Sequence, residues 1–305
     1  MIRYIANRIG MGVFTLFVLA TITFFLVRII PGGPFDAEVA LPPAVLENLE
    51  EKYGTNKPMW EQYIIHMKRL LHGDLGDSFK YEGMTVNELI GRGMAATMKL
   101  GLTAVVIATV VGVLLGIVSS LRHRGVVDMA CMTVSVVGLC MPSFVVAIFL
   151  MYIFGLQLDW LPIVGLDTPQ HVILPACALA LSPIANISRL TRSSMLEALG
   201  QDYIMAARSK GVKRYRVITV HALRNALLPV ITYMGPMVAY LLTGSFVVEN
   251  MFAIPGIGRT FVTSITNRDY STVLGMTIFF GTLVIVCGII VDILYVIIDP
   301  RVKYE

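Results

Sequence analysis

Charge is scarce in this chain. Asp, Glu, Lys and Arg make up 14% of its 305 residues, where a soluble globular protein carries about 25%. Hydrophobic residues reach 56% and the mean hydropathy is +0.76. These values exclude an ordinary soluble domain and place the chain in a bilayer, with no nucleic-acid partner expected.

Catalytic signatures are missing too. There is no G-x-x-x-x-G-K-[ST] phosphate loop, no H-E-x-x-H and no G-x-S-x-G. The four cysteines, Cys131, Cys140, Cys177 and Cys287, lack the close spacing of a zinc or redox pair and read as small apolar packing residues. No two of His66, His72, His123, His171 and His221 stand four residues apart, the spacing that would bind a metal on one helix face. The chain is therefore expected to be non-catalytic, with no metal and no cofactor of its own.

Six long intervals contain no Asp, Glu, Lys or Arg: Ile9 to Val27, Leu100 to Leu121, Met129 to Leu158, Thr168 to Ser188, Asn225 to Val248 and Tyr270 to Val291. A helix crosses the hydrocarbon layer with about 20 apolar residues, so the fold class is an all-α polytopic membrane protein with six transmembrane helices. Arg3 and Arg8 ahead of the first interval would suit a secretory signal, but its apolar run is long and no small-residue cleavage site follows, so a retained helix is expected. Intramembrane ionisable groups mark proton and ion relays, and their absence disfavours a carrier driven by an ion gradient. An intramembrane enzyme would need acids or a metal cluster at the same depth. If a polar solute moves uphill through this chain, the free energy enters from another subunit.

Positive residues in short loops remain cytoplasmic. With the N-terminus inside, the inner segments hold Arg3, Arg8, Arg122, Arg124, Arg189, Arg192, Arg208, Lys210, Lys213, Arg214, Arg216, Arg224, Arg301 and Lys303, while the short outer loops hold Arg259 and Arg268. Both termini are then cytoplasmic. The long segment from Arg28 to Lys99 lies outside, and it mixes bases with Glu50, Glu51, Asp74 and Asp77. Within it, Pro58 followed by Trp60, Tyr63, Ile64, Met67, Leu70 and Leu71 fits an amphipathic helix with proline in its first turn. Thr85 and Glu88 have capping-box spacing and open another helix. This segment reads equally as a lid on the spans or as a contact surface for an extracellular partner.

Pro142, Pro175, Pro183, Pro229 and Pro236 fall inside the intervals and predict kinks or freed carbonyls. Gly112 and Gly116 form a small-xxx-small pair, read as close helix packing. Between the fourth and fifth intervals stands the run from Asp202 to Gly211, DYIMAARSKG. Asp202 predicts an N-cap, Lys210 suits the negative C-terminal end, and Gly211 can take the left-handed stop. A two-turn helix is unstable alone in water and needs a surface to dock on. Tyr203, Ala206 and Ala207 stand three and four residues apart and are expected on one docking face. Without more, the loop could be a basic stretch that obeys the positive-inside rule and touches anionic lipid.

The run from Arg189 to Ile231, RLTRSSMLEALGQDYIMAARSKGVKRYRVITVHALRNALLPVI, closely resembles the cytoplasmic loop of ATP-binding-cassette importer permeases of the peptide and nickel group. In that family the Ala-Ala-x-x-x-Gly loop is the coupling helix, which docks in a groove on the ATPase subunit; the matching positions are Ala206, Ala207 and Gly211, followed by Leu228-Pro229. Met205 stands where the broader pattern has a glutamate, and the gap from Gly211 to Leu228 exceeds that of sugar importers, as is usual in the peptide branch. Arg28-Ile29-Ile30-Pro31-Gly32, Gly73-Asp74-Leu75-Gly76-Asp77-Ser78-Phe79, Pro255-Gly256-Ile257-Gly258, Arg268-Asp269-Tyr270 and Asp299-Pro300-Arg301 look like the same group. Gly33-Pro34-Phe35, Leu41-Pro42-Pro43 and Tyr233-Met234-Gly235-Pro236 are most similar to the B-type transmembrane subunit of oligopeptide permeases.

The resemblance implies a type I importer permease fold in a bacterial cytoplasmic (inner) membrane, with an extended outer loop between the first two helices. The expected organisation is an N-terminal helix over 1–28, an extracytoplasmic region over 29–99, a permease core over 100–298 containing the coupling loop 189–224, and a tail over 299–305. It implies a second, homologous permease subunit, two ATPase subunits or domains that use ATP and Mg, and an extracytoplasmic binding protein that delivers oligopeptide. Dipeptide, nickel, glutathione or oligosaccharide import would use the same machinery. Asp202, Tyr203, Ala206, Ala207, Arg208, Lys210 and Gly211 would form the ATPase-coupling set. Ser182, Asn186, Thr232, Tyr233, Tyr240, Thr243 and Ser245 could line a solute pathway or bond between helices, and the sequence leaves both readings open.

Overall fold

The computed structural model of the chain describes residues 2–29, 33–35 and 42–298. Ile30-Pro31-Gly32, Leu41 and the terminal segment with Asp299, Pro300, Arg301 and Lys303 lie outside the described residues. Among the described residues the only pairing of strand type is an isolated bridge between Asp77 and Thr85. The rest is helical, with turns and loops. In chain order come α1 (Ile2–Ile29), α2 (Pro43–Tyr53), α3 (Met59–Leu71), α4 (Val86–Leu121), α5 (Val126–Cys140), and α6 (Ser143–Leu150) with its π-helical continuation Met151–Gln157. A 3₁₀ turn at Pro169–Val172 leads into α7 (Ile173–Leu199), then α8 (Asp202–Ser209), α9 (Arg214–Arg216), a π-helical segment Val217–Ala222, α10 (Leu223–Ala226) and α11 (Leu228–Leu242). α12 (Phe246–Met251), α13 (Ile257–Thr266) and α14 (Tyr270–Ile298) complete the chain.

Four helices are each long and apolar enough to cross a bilayer: Ala6–Ile29, Val86–Leu121, Pro169–Leu199 and Tyr270–Ile293. The third and fifth apolar intervals are bent. α5 and α6 meet at 110°, and the helical stretch Arg214–Ala226 meets α11 at 51°. Proline causes the first break: Pro142 has no N–H to donate, and Met141 before it is extended at φ −82°, ψ 124°, the conformation a following proline imposes. The fifth interval also ends early. α11 stops at Leu242, Gly244 turns the chain at φ 83°, and Val248 lies in α12.

The prolines sort by position. Pro183 and Pro236 are inside helices as expected, whereas Pro175 and Pro229 occupy first turns, where a missing N–H removes no helical bond. Pro58 is the N-cap of α3 rather than a first-turn residue. The capping box at Thr85 is present, with the Glu88 N–H donating to Thr85 Oγ1 at 3.2 Å and the Thr85 N–H to Glu88 Oε2 at 3.4 Å. The helix it opens does not stop short of the membrane; it is α4 itself, unbroken to Leu121. Within the apolar helices, Thr15, Thr21, Ser135, Thr277 and Thr282 donate their hydroxyls to the carbonyl four residues earlier. Hydrocarbon supplies no partner for such a proton, so the helix must.

The chain forms two compact units. The first comprises Met1–Thr97, Thr243–Phe246 and Pro255–Ile285. Phe24, Val27, Tyr270 and Leu274 form one of its cores against Tyr63 and Phe79, and Val86, Ile90 and Met276 form another against Phe261 and Phe280. Asp269, fully buried, joins two of the quoted motifs. It accepts hydrogen bonds from Ser78 Oγ at 2.5 Å, the Phe79 N–H at 3.1 Å and Thr272 Oγ1 at 2.7 Å. With the Thr272 N–H donating to Oδ1 at 3.2 Å as a fourth bond, the carboxylate is a strong latch between segments 190 residues apart.

The second unit comprises Met98–Leu242, Val247–Ile254 and Val286–Glu305, and α7 is its centre. The apolar window of that helix is 61% buried, against 17–28% for the other three long apolar helices. Small residues permit this, since Ala176, Ala180 and Ala185 are fully buried. The Gly112 and Gly116 pair packs α4 on α7: a Cβ at Gly116 would stand 2.5 Å from Thr191 Cβ, and one at Gly112 2.8 Å from Ile187 Cβ. Neither position can gain a methyl group without separating the helices.

Candidate functional site

The loop between α7 and α11 presents a short helix, α8, on a dedicated core. Asp202 is not its N-cap. Gln201 fills that position without a side-chain cap bond, and Asp202 is the first helical residue, where its carboxylate still meets the positive helix end. Lys210 is the C-cap. Gly211 follows at φ 74°, donating its N–H to Arg208 O at 2.9 Å, while the Val212 N–H reaches Ala207 O at 3.2 Å. These two bonds and the left-handed glycine make a Schellman stop, completed by packing of Val212 in the same cluster as Ala207.

That cluster answers why so short a helix is stable. Ile204 and Ala207 of α8 bury themselves against Met195, Ala198, Val217, Ala222 and Ala226, with Leu199, Val212, Ile218 and Leu223 around them. The surface on which α8 docks is thus supplied by its own chain. Here the expected docking face is corrected: Ala207 is 9% exposed and faces inward with Ile204, three residues earlier on the same side. The open face carries Tyr203 and Met205, 40% and 61% exposed, together with Ala206, Arg208 and Lys210, all exposed. Tyr203 is held from behind, its hydroxyl accepting a hydrogen bond from Asn225 Nδ2 at 2.9 Å. Beyond Gly211, Lys213, Arg214, Arg216 and Arg224 extend the basic surface, all exposed.

The chain continues into the membrane through a defect in helical winding. Val217–Ala222 is π-helical, with i→i+5 bonding that is rare and concentrated at functional positions. On the other flank, α7 is clamped by a buried carboxylate. Arg192 donates from Nε to Asp128 Oδ1 at 2.7 Å and from Nη2 to Oδ2 at 2.8 Å, while Ser119 Oγ and the Arg124 N–H donate to the same carboxylate at 2.5 and 2.9 Å. His123 Nδ1 lies 3.1 Å from Arg192 Nη2. The end of α4, the start of α5 and the stem of the loop are thereby joined in one bidentate network.

The candidate pathway residues divide between the two units. Asn186 Nδ2 donates to Ser182 O at 3.2 Å, and Tyr233 stands on α11. Thr232 donates to Leu228 O within its own helix. Tyr240 is 66% exposed, and Thr243 and Ser245 belong to the first unit. Among the described residues no group of three His, Cys, Asp or Glu could hold a metal.

In the first unit, the Pro255-Gly256-Ile257-Gly258 turn packs on α4. The Ile257 N–H donates to Thr97 Oγ1 at 2.9 Å, and a Cβ at Gly93 would lie 2.9 Å from Ile257 N. Beside it opens a cavity of about 370 Å³ lined by Tyr81, Met84, Arg92, Pro255, Arg259 and Thr260 among others. Sequence reasoning did not pair these arginines, which stand far apart in the chain and meet only through the close approach at Gly93.

Comparison with known proteins fits this geometry. Residues 112–304 match the family described as binding-protein-dependent transport system inner membrane component, and residues 1–86 match the N-terminal membrane component of such systems. The dipeptide transport system permease protein DppB of Bacillus subtilis is 44% identical over 303 residues, covering 99% of this chain and 98% of that protein. The oligopeptide transport system permease protein OppB of Haemophilus influenzae is 45% identical over 306 residues, covering both chains in full, and OppB of Salmonella typhimurium is also 45% identical over 306 residues. A crystal structure of an amino acid ABC transporter with histidines superposes with a TM-score of 0.51 at 18% identity, covering 71% of this chain and 95% of that one. This last likeness bears on the fold alone.

Proposed function

The chain belongs to the family of binding-protein-dependent transport system inner membrane components, and from that premise we infer that it is the membrane-embedded permease subunit of an ATP-binding-cassette importer of peptides. The relatives named for dipeptide and oligopeptide transport match it over essentially the whole length, so peptide is the substrate class, with oligopeptide our reading of its size. In this reading the two bent pairs each count as one span, giving six in a type I permease fold. Both termini face the cytoplasm, as does α8. Residues 1–28 form the first span, 29–99 the outer region, 100–298 the transport core and 299–305 the tail. A second permease subunit completes the pathway, two ATPase subunits supply ATP and Mg chemistry, and an extracytoplasmic binding protein delivers peptide.

One observation carries the mechanism: α8 is fixed to its own chain through Ile204 and Ala207 while Tyr203, Ala206, Arg208 and Lys210 remain on an open face. The ATPase would hold that open face, with the small Ala206 permitting close approach and the two cations meeting acidic groups or helix C-termini. Movement of the ATPases then displaces α8 together with its core, and the Val217–Ala222 π segment passes the displacement to α11. Asp202 sets the helix start, and Gly211 fixes the direction in which the chain leaves. No chemical step falls to this subunit. The outer loop, with the cavity at Arg92 and Arg259, would meet acidic groups of the binding protein.

The decisive test is Ala206→Arg in the assembled transporter. Peptide uptake and peptide-stimulated ATP hydrolysis are both expected to collapse while the chain still enters the membrane. Retention of both activities at normal assembly levels would remove α8 as the ATPase contact.

A further inference from the structure

A second, smaller pocket in the first unit, of about 100 Å³, has an unusual inventory of polar groups. Its walls include Arg28, Lys52, Thr55, His66 and Arg69, with Asp77 as an acidic member. Asp77 is already engaged, 3.3 Å from Arg69 Nη1, and Asp74 lies 3.8 Å from Arg69 Nε. Among the described residues Arg28 has no such carboxylate partner. Its guanidinium lies over the Phe24 ring at 3.5 Å and donates to Gln62 Oε1 at 2.9 Å and to Phe24 O at 3.2 Å. Both acceptors are neutral. Gln62 cannot turn to offer anything else, because its Nε2 donates to Thr55 O and Lys57 O.

Two further groups in the same walls are buried without a hydrogen-bond partner among the described residues, His66 Nε2 and Thr55 Oγ1. Buried polar atoms are almost always satisfied, and an exception points to something that fills the space. Water would satisfy the imidazole and the hydroxyl, but it would leave the half-buried guanidinium without a counter-charge, which is costly away from bulk solvent. Burial, with Arg28 and Arg69 adding to it, holds the His66 pKa down at about 4. The ring is therefore neutral at physiological pH, and an Nε2 carrying its proton is a donor.

We propose that this pocket is an oxyanion site that accepts one phosphate group, free or on a phospholipid headgroup, with Arg28 as the charge partner and His66 Nε2 and Thr55 Oγ1 as donors. The volume suits it, being room for about three waters. Its level in the fold suits a headgroup: Arg28 lies in the last turn of α1 and Tyr270, another wall residue, begins α14. The pocket therefore stands where two apolar helices leave the hydrocarbon layer. The assignment is independent of the transported substrate.

The test uses the complete transporter purified in detergent. The thermal midpoint is followed against inorganic phosphate at ionic strength matched with chloride, and phospholipid retained through detergent exchange is counted per complex. A saturable rise specific to phosphate is expected if the site takes the free ion. Retained phospholipid is expected if it takes a headgroup. In either case Arg28→Gln should weaken the effect at least ~10-fold, as loss of a charged hydrogen-bond partner does, and Thr55→Val should weaken it severalfold. Thr55→Val also reads the site if Arg28→Gln fails to assemble. The proposal is overturned if wild type shows neither response, or if Thr55→Val and every assembling Arg28 variant respond as wild type does.

Discussion

At Gly211 one backbone angle decides where α8 ends. A Cβ there would touch nothing within 4 Å, so only the conformation at φ 74° opposes a side chain. Left-handed geometry costs an L-residue roughly 1–2 kcal/mol, and Gly211→Ala is expected to destabilise the loop by about that amount. Limited proteolysis of the Lys210–Arg216 stretch should report it as faster cleavage, with membrane insertion unchanged. The role of Gly211 was legible in the sequence because helix stops are local. Ala207 was misplaced for the opposite reason. Spacing alone puts Tyr203, Ala206 and Ala207 close together, and only the apolar companions Ile204, Val212 and Val217 indicate which side of α8 is covered. The completely apolar Ile204 was the signal in the sequence that could have settled the matter.

Among the elements, α7 and its clamp govern how firmly the loop is held. Asp128 is nearly excluded from solvent, with 6% of its side chain exposed against 24% for Arg192, so Asp128→Ala leaves a guanidinium without its counter-charge. Breaking a buried pair from one side costs about 3–5 kcal/mol, while replacing both partners by apolar groups costs far less. Asp128→Ala is therefore expected to lower the thermal midpoint of the purified complex more than the double variant Asp128→Ala with Arg192→Leu. Equal losses would show that the clamp adds nothing beyond packing. No sequence pattern announced this pair, because 64 residues separate its members and each taken singly reads as a loop charge. The bend at Pro142 was foreseeable as a kink, but its 110° was not, since proline forbids one conformation without choosing how far the next helix turns. The box at Thr85 was legible as a helix start because its partners stand three residues apart, while the charges up to Lys99 hide that the same helix runs on into the apolar interval.

For the whole molecule, large apolar side chains such as Phe14, Phe17, Val106 and Val110 are exposed on the helices, as a protein solvated by lipid requires. The binding protein is instead expected to meet polar ground. If the cavity at Arg92 and Arg259 receives its acidic groups, the paired substitutions Arg92→Glu and Arg259→Glu should raise the Kd for the loaded binding protein at least ~10-fold at low salt. The difference should shrink as ionic strength rises and screening shortens the reach of charge. An unchanged Kd, or a loss indifferent to salt, would place that contact elsewhere.

The inward grip of Ile204 and Ala207 has a mechanical meaning. A peg tethered only at its ends would rattle in its socket, and part of each stroke of the nucleotide motor would be wasted as backlash. Glued along its flank to Met195 on one stem and Ala226 on the other, this peg, if an ATPase holds its open face as proposed, would pass each stroke to both stems at once.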